Sequence, residues 1–65
     1  MRNRIKERRT TRGLTQEELA DLVGVSRKTI NTVENARFIP STVLALRLAR
    51  ALRVSVEDLF SLSRD

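Results

Sequence analysis

Apolar residues recur three or four positions apart along almost the whole chain, and they never alternate with polar ones over a strand's length. That periodicity is helical, and its interruptions at Gly13, Gly24 and Pro40, with a fourth before the cap Ser55, divide it into five helices. The first is expected from about Asn3 to Arg12. Its apolar face is thin, with Ile5 backed only by Met1, and Gly13 stands where a left-handed C′ residue ends a helix. Leu14 then returns to the core. Thr15-Gln-Glu-Glu18 has the form of a capping box, opening a second helix whose Leu19, Ala20 and Val23 face inward until Gly24 stops it. Ser26 caps a third helix with Ile30 and Val33 buried and Asn35 near its end. A fourth follows Pro40, capped by Ser41 and running to about Arg53, with the stripe Leu44, Leu48, Leu52. A fifth starts at the cap Ser55, where Asp58 completes a second capping box, and extends to about Leu62. The prediction is an all-α, compact five-helix domain spanning 1–65, with no linker, repeat or low-complexity segment.

Gln16 to Asn35 is the informative stretch. Two helices that cross through a short turn need a small residue at their closest approach, which Ala20 supplies. They also need one residue with positive φ, which Gly24 supplies. Leu19, Val23, Val25, Ile30 and Val33 then bind the pair to each other and to the remaining helices. Seven matches between two capping signals make a helix-turn-helix at 15–35.

With Ile30 and Val33 inward, a step of about 100° per residue turns Lys28, Asn31, Thr32 and Asn35 outward, with Arg27 at the N-terminal edge. This face carries no carboxylate. Arg and Lys can reach guanine O6 and N7 in the major groove, and Asn can pair with adenine N6 and N7. The bland reading is a merely solvated face, and the adjoining turn weighs against it. Arg27, Lys28, Asn31 and Thr32 are therefore the candidate base contacts. Gln16, Ser26 and Asn35, near helix ends, and Arg37, in the loop beyond, are the candidate phosphate contacts. Ser26 and Ser41 could equally be caps and nothing more.

Charge sharpens this picture. The 65 residues carry 13 basic and 8 acidic groups, net +5, unevenly spread. Segments 1–13 and 36–53 are strongly basic, whereas 14–35 and 54–65 are weakly acidic. A basic face suits a polyanionic partner, double-stranded DNA above all. An Arg-rich surface of the thermophile kind is the competing explanation. Cys, His and Tyr are absent, which excludes disulfides and the usual zinc spacings and leaves Ser and Thr without a visible base. No cofactor, metal site or catalytic residue is expected. No apolar run reaches the roughly 18 residues of a membrane span, so no membrane association is expected and the simplest location is the cytoplasm.

So short a chain buries only about 60% of the surface its unfolded form exposes. Association is one remedy. Val43 and Leu46 lie opposite the Leu44–Leu52 stripe, and Phe60 and Leu62 follow once the core is nearly complete. Leu46, Phe60 and Leu62 are the candidate dimer interface, unless the fifth helix covers that surface within one chain.

The runs Gly13-Leu-Thr-Gln-Glu-Glu-Leu-Ala20, Gly24-Val-Ser-Arg-Lys-Thr-Ile30, Val33-Glu-Asn35, Pro40-Ser41 and Val54-Ser-Val-Glu-Asp-Leu-Phe60 resemble the Xre type. These are the phage Cro and C1 repressor-like helix-turn-helix regulators, and the likeness extends over nearly all of the chain. It implies a lambda-repressor-like five-helix fold and sequence-specific operator binding as a homodimer in transcriptional control, with repression as the expected outcome. An adaptor or antitoxin-like role, binding a protein partner through the same fold, is the alternative. By position, the resemblance assigns base reading to Arg27, Lys28 and Thr32. It makes Gln16 both a phosphate contact and a brace for the recognition helix, and Asn35 a second phosphate contact. It makes Arg9 and Glu34 an ion pair joining the first and third helices, the alternative being two unrelated surface charges. Two departures stand out: Arg8 where the family usually has Leu, and Ala36 where Gly is common.

Overall fold

A computed structural model describes residues 1–62. Its helices are α1 (Ile5–Thr11), α2 (Gln16–Val23), α3 (Arg27–Glu34), α4 (Thr42–Leu52) and α5 (Val56–Leu59). The expected caps are in place. Thr15 and Glu18 satisfy each other's backbone N–H groups at the start of α2, and Ser55 and Asp58 do the same for α5. Ser26 accepts from Thr29 N and Ser41 from Leu44 N, so both serines cap helices, α3 and α4 respectively. Each of these side chains satisfies an N–H that a helix's first turn otherwise leaves unpaired.

The exits are as regular. Gly13 and Gly24 take φ of +70° and +76°, and the Ala20 carbonyl accepts from both Gly24 N and Val25 N, closing α2 tightly against the turn. Two exits use left-handed residues that are not glycine. Ala36 (φ +57°) follows α3 and Arg53 (φ +58°) follows α4. The Arg37 N–H reaches back to Thr32 O at 3.1 Å, so Ala36 turns the chain as the family's more common Gly would.

The core is a single cluster drawn from all five helices. Ile5, Leu19, Ile30, Val33, Leu48 and Leu59 are its most completely enclosed side chains, with Ala20, Val23, Leu44, Ala49 and Leu52 around them. Ala20 is buried where the α2–α3 turn demands a small side chain. Phe60, expected at an interface with a second chain, is only half-buried and packs partly on its own core.

Three departures from expectation concern the chain ends. Helix α1 begins at Ile5, not Asn3, and ends at Thr11. Helix α5 ends at Leu59, three residues short of Leu62. In place of the missing turns, strands β1 (Arg2–Asn3) and β2 (Phe60–Ser61) pair antiparallel, Arg2 with Ser61 and Asn3 with Phe60. The chain leaves α5 at Phe60 in an extended conformation, and Arg4 N donates to Leu59 O at 2.8 Å. Pairing the two ends satisfies backbone groups that one more turn of an isolated short helix would have left to water. Asn3 fastens the junction. Its Oδ1 accepts from the N–H of Ile5, the first residue of α1, while its Nδ2 donates to Val33 O at 2.9 Å. Arg8 is half-buried, its Nε shielded without a protein acceptor among the described residues, so its stem lies on the fold as an amphipathic side chain's would.

Candidate nucleic-acid interface

Helix α3 divides sharply. Ile30 and Val33 are buried, while Arg27, Lys28, Asn31 and Asn35 are exposed and Thr32 is half-exposed. Arg27, Lys28 and Asn31 line one shallow cleft on the outer face. The expected base-contacting residues thus occupy one continuous surface.

Glu34 is the sole acid of α3, and it is withdrawn from that surface. Arg9 donates to it from Nε at 2.7 Å and from Nη2 at 3.4 Å, and Gln16 donates to it from Nε2 at 3.1 Å. The side chains of the ion pair are only 11% and 3% exposed, for Arg9 and Glu34 respectively. Arg9 also donates from Nη1 to Leu14 O at 2.8 Å. One carboxylate therefore ties α3 to α1 and to the first residue of α2, and the guanidinium extends that tie to the loop between α1 and α2. The two residues are partners, not unrelated surface charges. Fixing a helix with a buried, multiply bonded ion pair sets its orientation more narrowly than apolar contacts alone, which tolerate sliding.

The remaining candidates flank this face. Gln16 is half-buried, and with one amide hydrogen on Glu34 it keeps a second donor. Ser26, exposed, shares a hydrogen bond of 2.9 Å with Thr29 Oγ1 in addition to capping α3. Asn35 donates to Asn31 O at 2.9 Å and approaches Asn31 Oδ1 at 3.3 Å, orienting the Asn31 amide. Arg37 is exposed just past the Ala36 turn. The Thr32 hydroxyl donates to the Lys28 carbonyl. What inspection of the sequence missed is Phe38, which lies beside Lys28, Thr29 and Thr32, because its position depends on a turn that no local motif announced.

Over residues 5–59 this chain matches the helix-turn-helix family. The chain belongs to the helix-turn-helix family of DNA-binding transcriptional regulators. It is 54% identical to an uncharacterized HTH-type transcriptional regulator of Methanothermobacter thermautotrophicus, over all of this chain and 96% of that one. It is 38% identical to the HTH-type regulator YgzD of Bacillus subtilis, over all of this chain and 98% of that one. Among solved structures, the restriction-modification controller protein C.AhdI from Aeromonas hydrophila superposes with a TM-score of 0.82 at 42% identity, covering 88% of this chain and 86% of that one. The P22 c2 repressor protein, solved in complex with a synthetic operator, gives a TM-score of 0.81 at 33% identity, covering 83% and 82%.

A second surface of this helix-turn-helix protein lies apart from α3. Met1, Ile39, Pro40, Ala45, Leu46 and Phe60 line an apolar groove of about 630 Å³. Leu46, Val43 and Leu62 are all more than half exposed. Two of the three expected interface residues, Leu46 and Phe60, thus meet at one groove. Among the described residues no cluster of acidic, His or Cys side chains is arranged to hold a metal ion, and no helix is long and apolar enough to cross a membrane.

Proposed function

We propose that this regulator is a cytoplasmic repressor that recognises a specific duplex sequence through the outer face of α3, as a homodimer on a two-fold operator. The observation that carries the reading is the division of charge on α3. Its one carboxylate is bound inward by Arg9 and Gln16, and its outward side chains are basic or neutral hydrogen-bonding groups. An exposed Glu34 would repel the phosphates on either side of a groove; sequestered, it orients the helix. In this reading Arg27, Lys28, Asn31 and Thr32 contact bases. Gln16, through its remaining amide donor, Ser26, Asn35 and Arg37 contact phosphates and fix the docking angle. Leu46, Phe60 and Leu62 form the dimer interface, supported by the apolar groove that Leu46 and Phe60 share. The likeness to the P22 c2 repressor favours repression.

Selection from a randomised duplex library at near-physiological salt tests this. The expected outcome is an enriched palindrome whose half-sites are centred about 34–36 Å apart on one face of the duplex. Salt-sensitive binding with no enriched motif would overturn base reading and leave a basic, non-specific binder.

A further inference from the structure

Phe38 and Ile39 are adjacent in sequence but serve different surfaces. Ile39 joins the groove beside Leu46, whereas Phe38 is turned onto the outer flank of α3. The left-handed Ala36 and the Arg37 N–H bond to Thr32 O fold the loop back to make this possible. Phe38, Thr29, Thr32 and Lys28 enclose a shallow cleft of about 210 Å³. The chemistry of its lining is unusual for a surface otherwise rich in donors. The Thr29 hydroxyl is bonded to Ser26 Oγ and the Thr32 hydroxyl to the Lys28 carbonyl. With both hydroxyls engaged by the helix, the groups left to line the cleft are two threonine methyls, an aromatic ring and the aliphatic stem of Lys28.

This apolar cleft adjoins the polar one formed by Arg27, Lys28 and Asn31, and Lys28 borders both. A duplex whose base edges meet the polar cleft would lie against the apolar one as well. The apolar group that B-DNA displays in the major groove is the thymine C5-methyl. Phe38 keeps 48% of its surface exposed, leaving a ring face for such a contact. The geometry points to Phe38 as a specificity-determining residue that, with the methyls of Thr29 and Thr32, takes one thymine methyl per half-site. The inference rests on the proposed reading that α3 contacts bases.

The test uses the full chain and the operator it selects, with each thymine replaced in turn by deoxyuridine, which removes the methyl alone. Burying one methyl-sized group corresponds to about a fourfold change in affinity. One position per half-site should weaken about fourfold for the wild type, and Phe38→Ala should bind the two duplexes equally. Thr32→Ser, which deletes a methyl but keeps the hydroxyl, should reduce the discrimination, while Thr32→Val should retain it. Circular dichroism identifies any variant that fails to fold, and the two Thr32 variants carry the test independently of Phe38→Ala. Deoxyuridine ratios that are the same in wild type, Phe38→Ala and Thr32→Ser would overturn the inference, as would an operator with no thymine sensitive to the exchange; either result leaves base reading by α3 intact. Failure to select any motif would instead overturn both.

Discussion

Glu34→Ala is the perturbation that most directly probes how α3 is held. In the wild type the carboxylate receives Arg9 Nε at 2.7 Å, Arg9 Nη2 at 3.4 Å and Gln16 Nε2 at 3.1 Å. Removing it leaves Arg9, whose side chain is 11% exposed, with only its bond to Leu14 O among the described residues. The loss exceeds the sum of the hydrogen bonds, because a desolvated cation remains without a counter-charge. Breaking a buried pair in this way costs about 3–5 kcal/mol. The whole domain, at 65 residues, has roughly 3–10 kcal/mol of stability to lose. Glu34→Ala is therefore expected to be largely unfolded at 37 °C, or to melt at least 12 °C lower, at about 4–8 °C per kcal/mol for a domain of this size. The chain has neither Trp nor Tyr, so urea and thermal unfolding are followed by far-ultraviolet circular dichroism, at one protein concentration because self-association would shift the midpoint. The double variant Arg9→Met, Glu34→Leu removes both charges and is expected to recover most of the loss, since apolar replacement of a buried pair is often neutral. A loss under about 1 kcal/mol for Glu34→Ala would show that water reaches Arg9 in solution, and the argument from burial would fail; that magnitude belongs to exposed pairs.

Three further outcomes are expected. Arg27→Ala should cost about 1–3 kcal/mol at the selected operator and relax base preference at one position; equal weakening on cognate and random duplex would assign Arg27 to phosphate instead. Ala36→Gly should raise stability by about 1 kcal/mol, because Ala36 holds a left-handed φ that a Cβ disfavours, and an unchanged or lower melting temperature would contradict this. Leu46→Asp, at a position 56% exposed, should leave circular dichroism unchanged while shifting sedimentation from dimer to monomer and weakening operator binding; an unaltered dimer would exclude the apolar groove as the interface.

How far each feature was legible in the sequence follows from the range of the interaction behind it. The caps Thr15, Ser26, Ser41 and Ser55 bond three residues ahead, so a four-residue window contains the whole interaction. The division of α3 into buried Ile30 and Val33 and an exposed face required only helical periodicity. The Arg9–Glu34 pair spans 25 residues, and what suggested it was the family resemblance together with the side of each helix on which the two charges fall. The β1–β2 pairing was not legible, since two-residue strands are too short to show alternation. Asn3 likewise gave no sign that it would reach Val33 O, 30 residues away.

Phe38 and Glu34 show the same limit at the site itself. Counted along the chain, Glu34 is one acid in a segment with a net negative charge, which speaks weakly against DNA. In the fold it is the group that aligns the basic face, because Arg9 and Gln16 take it out of solvent. Phe38 counts as one exposed apolar residue among several, yet the Ala36 turn sets it against the flank of α3. For both residues the chemical role is decided by what surrounds the side chain, and that depends on contacts made across the fold. Residue types along α3 were therefore enough to nominate the face, while its charge and the apolar character of one flank arise from tertiary placement.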